Sequence, residues 1–223
     1  MKKTLFTLAS LVLLALPASA LADTITFTPT PRDLGDLDHH MAYTWRVNNV
    51  NLRGQTITGA RLTISNIRNW DNNRNILFIH LLDNARNAGV ASFVDDPTNS
   101  TPVTDIRDDF VDPRYHNRSN WLVAAGTADT FLASPSFTTT GRDFVIDLNA
   151  AQLNILAAYI ANGGNFAFGF DPDCHFFNDG LRFDITTAPT AVPEPTTMVL
   201  LATGLSGLYL RRRRNQKQNQ ALQ

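Results

Sequence analysis

Thr56-Ile57-Thr58-Gly59-Ala60-Arg61-Leu62-Thr63-Ile64 sets Ala60, Leu62 and Ile64 on one side of an extended chain and Thr and Arg side chains on the other. Successive side chains of a strand point to opposite faces, so this run predicts a sheet with one dry and one wet side. Comparable runs lie on both sides of it. Thr24–Thr28 reads as an edge strand, and Ala42–Val47 puts Tyr43, Trp45 and Val47 on one face. Asn75–Leu82 is apolar almost throughout and suits the middle of a sheet, although a short helix has a similar period. Shorter strands are expected at Ala91–Val94, around Phe110, at Leu122–Ala125 and at Asp129–Leu132. Asp143–Leu148, Asn165–Phe170 and Leu181–Thr186 complete the set. One helix is predicted over Ala150–Ala161, with Asn149 as N-cap, Leu153, Leu156, Ala157 and Ile160 at helical spacing, and Asn162-Gly163-Gly164 as its stop. Many short strands, one helix and Pro/Gly/Asn punctuation predict an all-β antiparallel sandwich of jelly-roll type.

The two ends of the chain are of another kind. Lys2-Lys3, the apolar Leu5–Leu16 and the small residues Ala20 and Ala22 form a secretory signal peptide over residues 1–22, so the mature chain would start at Asp23. Near the other end, Val192-Pro193-Glu194-Pro195 cannot extend a sheet, which bounds the domain at 23–190. Thr196–Leu210 has no charged residue and, as a helix of about 1.5 Å per residue, would reach roughly 22 Å. Arg211, Arg212, Arg213 and Arg214 follow, and such a block stays on the cytoplasmic side of a membrane. Residues 215–223 form a polar, Gln/Asn-rich tail, expected to be disordered.

The segment 191–214 resembles the PEP-CTERM sorting signal of Gram-negative bacteria. The resemblance rests on Pro193, Glu194 and Pro195, the apolar segment to Leu210, and the cluster Arg211–Arg214. It implies an exported protein that is held briefly in the inner membrane, cut by the membrane enzyme exosortase, and moved to the cell surface or released. The tail beyond the arginines departs from the family pattern, in which the chain ends near the basic cluster. The resemblance is silent on the work of the folded domain.

Charge narrows that work. Between Asp23 and Thr190 there are 12 Arg against 19 Asp, a net of −7, with no Lys and no Glu. An acidic surface argues against nucleic acid or anionic lipid as a partner. Cys174 is the only cysteine, so no internal disulfide can form.

Candidate chemistry concentrates in Asp171-Pro172-Asp173-Cys174-His175-Phe176-Phe177-Asn178-Asp179-Gly180. The stretch reads first as a turn whose Asp side chains cap backbone N–H groups; the alternative is that Asp171, Asp173, Asn178 and Asp179 offer hard oxygen ligands for calcium, without the spacing of an EF-hand. His39, His40, His80, His116 and His175 show no paired helical spacing of the kind that zinc sites favour. His39 and His40 would point to opposite faces if extended, and His80 reads as a satisfied core histidine. Trp70 and Trp121 lie beside Asn and Asp residues; a buried ring that anchors its loop is the commoner arrangement, and an aromatic face that stacks on a sugar is the alternative. The expected function is therefore a surface structural or adhesive protein among exopolysaccharides or other surface proteins, not an enzyme. The alternatives are a carbohydrate-binding module, with or without calcium, and a metal-dependent hydrolase.

Overall fold

Alternation in the Gln55–Asn69 strand sets the architecture, because its apolar side must be covered by a second layer. In the computed structural model, which describes residues 22–52, 54–95, 107–116, 118–190, 202–209 and 211–213, that layer is a second antiparallel sheet. In chain order the strands are β1 (Asp23–Phe27), β2 (Met41–Val47), β3 (Gln55–Asn69), β4 (Leu77–Leu82), β5 (Gly89–Val94), β6 (Asp129–Ala133), β7 (Arg142–Asp147), β8 (Phe166–Pro172), β9 (Phe176–Phe177) and β10 (Gly180–Pro189). The helices are the single turn α1 (Pro113–His116) and α2 (Ala150–Ala161).

One sheet runs β1-β10-β3-β7, with β9 also paired to β3; the other runs β5-β2-β8-β4-β6. The pairings β1/β10, β2/β8, β3/β7 and β4/β6 are nested: the first half of the chain zips onto the second, and the long ribbon rolls up. This is jelly-roll order, with β5 added at one edge.

Between the sheets Leu62, Ile64, Phe183 and Ile185 of one face Trp45, Ile79, Phe166, Phe168 and Phe170 of the other. Phe168 and Phe183 meet edge-to-face at 4.8 Å across the sandwich. α2 carries the chain from one sheet to the other and adds Leu156, Tyr159 and Ile160 to the core. Its start is a capping box, with the Asn149 side chain accepting from Gln152 N and Gln152 accepting from Asn149 N.

Two departures from the sequence reading have clear causes. β3 continues to Asn69, beyond the expected end at Ile64. A bulge at Asn66, whose φ is 48°, inserts one extra residue opposite β7 and returns Ile67 to the core side. Asn tolerates that left-handed conformation, and Asp143 Oδ1 accepts from its N–H at 2.9 Å. The second departure is the segment between β5 and β6. No strand forms around Phe110 or at Leu122–Ala125; the described residues there are turns and α1. They cover the outer face of the β5-β2-β8-β4-β6 sheet with a second apolar layer of Phe110, Tyr115, Trp121, Leu122 and Val123 over Ala42 and Ala167. The centre of this sheet is dry on both sides, which is why every residue of β8 is buried, while the edge strands β5 and β6 stay partly exposed.

The chain divides into two units at Pro189/Thr190. In the second, residues 202–209 and 211–213 are helical and exposed. Among the described residues, no helix is long and apolar enough to cross a membrane. Most of the expected signal peptide (residues 1–21), Val192–Pro195, Leu210 and Arg214 lie outside the described residues.

Candidate functional site

At its end β3 runs alongside β9, with Arg68 opposite Phe177 and Asn69 opposite Phe176. Trp70 N then donates to His175 O at 3.2 Å, extending the ribbon by one pair. Asn69 and Phe176 turn inward and are buried. Strand geometry therefore places Arg68, Trp70, His175 and Phe177 together on the opposite, outward face. Trp70 is 54% exposed and Phe177 38%. Trp70 and Phe177 are diagonal neighbours across the ribbon, a relation that spans roughly 7–8 Å and leaves both rings on this face. The edge of Trp70 is pinned, its Nε1–H donating to Cys174 Sγ at 3.0 Å. Arg68 lies over the Phe177 ring, 5.3 Å from its centroid. Asp71 accepts from the backbone and side chain of Asn73, leaving a polar rim beside the indole. Burial pushes the Cys174 thiol up, which keeps it protonated and unreactive.

The same end holds three histidines. Leu37 and Phe176 exchange both backbone hydrogen bonds, at 2.9 and 3.0 Å, and Leu37 is buried. Its neighbours Asp36 and Asp38 therefore fall on the side of His175: His175 Nδ1 is 3.4 Å from Asp36 Oδ2, and Nε2 is 3.7 Å from Asp38 Oδ1. Residues 38–41 form a turn closed by Met41 N donating to Asp38 O. The turn brings His39 and His40 together at 3.7 Å between ring centroids, not to opposite faces as an extended chain would. Sequence spacing could not show this cluster, because it depends on a bridge between residues 37 and 176.

The four candidate calcium ligands do not converge. Asp171 faces the outer layer, where its Oδ2 accepts from Asp109 N at 2.7 Å. Asp173 Oδ1 caps Ile76 N at 2.5 Å, and burial lifts the Asp173 carboxyl to about 6. Asn178 bridges Gly35 O and Gly180 N. Asp179 accepts from Asn66 Nδ2 at 2.7 Å. Each serves a different piece of chain, as turn-capping side chains do. Trp121 needs a larger correction: it is fully buried, 5.1 Å from Phe93 and 5.0 Å from Tyr115, and cannot meet a ligand. A sheet face lined by Ala42 and Ala167 leaves room for a large ring, and Trp121 is among the rings that pack over it.

Asp171 instead joins Asp95 and Asp109, all three buried, with carboxylate oxygens within 4.8 Å of one another. Burial and the Asp95 charge push Asp109 to about 7, and burial with Asp109 lifts Asp171 well above the usual range. The folded state thus holds protons that the unfolded chain has released. Stability from this source is complete below about pH 4 and is lost as pH rises through about 7. Asp109→Asn is expected to be more stable than the parent at pH 8 by roughly 1–3 kcal/mol and indistinguishable from it near pH 3.5. Urea titrations at the two pH values check this; equal differences at both would refute shared protonation.

Residues 191–214 match the PEP-CTERM protein-sorting motif. The chain thus carries a signal for export through exosortase sorting. No curated protein and no solved structure matches the chain.

Proposed function

We propose that this exosortase-sorted jelly roll is a non-catalytic surface protein that adheres to extracellular polysaccharide through the Trp70–Phe177 platform. The observation that carries the reading is the exposure of two large aromatic rings on one ribbon face, with Arg68 and Asp71–Asn73 around them. Aromatic faces stack on the C–H side of pyranose rings, and amide, carboxylate and guanidinium groups at the rim bind the hydroxyls. Pinning by Cys174 lowers the entropy lost when a ligand settles on Trp70. The net charge of −7 between residues 23 and 190 suits neutral glycan better than polyanions. A PEP-CTERM destination at or beyond the cell surface would place the domain where such polymers are.

The test is a binding titration of the purified protein against the extracellular polysaccharide of its own host. Saturable binding is expected, and Trp70→Ala or Phe177→Ala should each weaken it about tenfold, equivalent to roughly 1.4 kcal/mol. Both side chains are at the surface, so each variant should keep its stability to within about 1 kcal/mol. Unchanged binding by the double variant would end the reading and leave a structural protein whose partners are other proteins.

A further inference from the structure

We infer that Asp38, His39, His40 and His175 form a binding site for a divalent transition-metal ion, with Zn2+ the best-suited species. The inference does not rest on the glycan platform. Three observations meet here. First, Asp38, His39 and His40 each present one ligand atom, all within 4.8 Å of one another. Second, Asp38 Oδ1 stands 3.3 Å from His39 Nδ1 and 3.7 Å from His175 Nε2. Around a tetrahedral ion with bonds of about 2.0–2.2 Å, neighbouring ligand atoms are about 3.3–3.6 Å apart, so both spacings to Asp38 are close to that range; His175 lies outside the mutual 4.8 Å group and completes the set by a rotation of its ring towards His39 and His40. Third, the Nδ1 atom of His40 is closed off from water and has no hydrogen-bond partner. A buried ring nitrogen without a partner is costly, and a metal ion would satisfy it.

The donor set selects the ion. Three imidazoles and one carboxylate suit Zn2+ and its neighbours in the first transition series, whereas Ca2+ takes six to eight oxygens. The frame is held independently of any ion. The Leu37–Phe176 bridge fixes the two segments, and Asp38 Oδ1 accepts from His40 N at 3.1 Å, which sets the turn. Asp36 beside His175 Nδ1 is placed to orient that ring, in the manner of a carboxylate behind a metal-bound histidine. His39 and His175 are each about one quarter exposed, so an ion can enter from solvent. A bound ion would tie the turn after Leu37 to the segment before β9 and so brace the wall against which Trp70 rests, its ring 5.6 Å from that of His175.

The experiment uses tag-free purified protein stripped with EDTA and titrated with Zn2+ against a chromophoric competitor. One Zn2+ per chain is expected. Co2+ should give the visible absorption of a four-coordinate N/O site, and Zn2+ should raise the thermal midpoint by several degrees. His40→Ala and His175→Ala should each reduce Zn2+ affinity tenfold or more. Each variant's Zn2+-induced shift is read against its own metal-free midpoint, so a lower starting stability cannot imitate the effect. Substoichiometric Zn2+ at tens of micromolar overturns the inference. So does full affinity in the His40→Ala/His175→Ala double variant, or stabilisation by Ca2+ with none by Zn2+.

Discussion

His80→Gln is expected to destabilise the domain by about 3–5 kcal/mol at pH 7, because it leaves two carboxylates facing each other without the cation between them. His80 is fully buried on the outer face of β4, with Nδ1 2.8 Å from Asp129 and Nε2 2.9 Å from Asp108. Burial alone would pull its pKa down; the hydrogen bonds to Asp108 and Asp129 outweigh that and raise it to about 9. In the charged ring both nitrogens donate. Asp108 also accepts from Phe110 N, so the pair fastens the covering layer to the sheet, and Asp129 fastens the edge strand β6. A group whose folded pKa is raised contributes stability that is complete below its unfolded value of about 6.5 and lost as pH rises through the folded one. The gap between parent and variant should thus be widest below pH 6.5 and close substantially by pH 10. For a domain of this size, the loss at pH 7 corresponds to a fall in thermal midpoint of about 10 °C. Denaturation curves at pH 7 and pH 10 decide the matter. A variant within 1 kcal/mol of the parent at pH 7, or an equal gap at both pH values, would show that His80 is only filling space.

How much of this was legible in the sequence depends on whether the relevant contact is local. Alternation in Thr56–Ile64 announced a one-sided sheet, and that face of β3 is as expected: Arg61 is exposed while Leu62 and Ile64 are buried. The α2 cap and stop were equally local, with Asn149, Gln152 and Gly164 all within the helix or one turn of it. His80 as a satisfied core residue was readable from its apolar strand, but its partners, 28 and 49 residues away, were not. The covering layer was missed because its packing residues, Phe110, Tyr115, Trp121, Leu122 and Val123, are scattered through a Pro- and Asp-rich stretch with no period. A clue was present in β8, where Phe166, Phe168 and Phe170 alternate with Ala167 and Gly169. Small residues alternating with large ones mark a face approached closely by something else. At the candidate site, the Asn/Asp surroundings of Trp70 and Trp121 gave one reading for both, a buried anchor before a ligand contact, and it holds for Trp121 but not for Trp70. Composition of a loop does not tell which way its aromatic ring turns. The histidine cluster was beyond reach, since it requires the bridge between Leu37 and Phe176.

The second large effect lies at Gly169, where sheet and cover approach most closely. Across the outer face of the sheet, Thr44, Gly169, His80 and Phe131 stand in one row, on β2, β8, β4 and β6. Phe110 fills the gap that the missing side chain leaves, and its ring is 5.1 Å from that of His80. A Cβ on Gly169 would sit 2.6–2.9 Å from three atoms of the Phe110 ring, too near for a ring held by Trp121 at 5.5 Å to tolerate without moving. Gly169→Val should therefore cost about 1–3 kcal/mol through overpacking, and Phe110→Ala about 3–5 kcal/mol through the cavity it opens. Their combination distinguishes this account from general fragility. If the glycine exists to seat the phenyl ring, valine in the double variant occupies part of the space that Phe110 vacates, and the two costs fall short of additive by more than about 1 kcal/mol. Additive costs would mean that Gly169 is needed for some reason other than Phe110. A coupling of the expected sign would fix the layer that carries Phe110 and Trp121 as an integral wall of the domain rather than a loop laid over it, because only a wall shares its packing energy with the strand beneath.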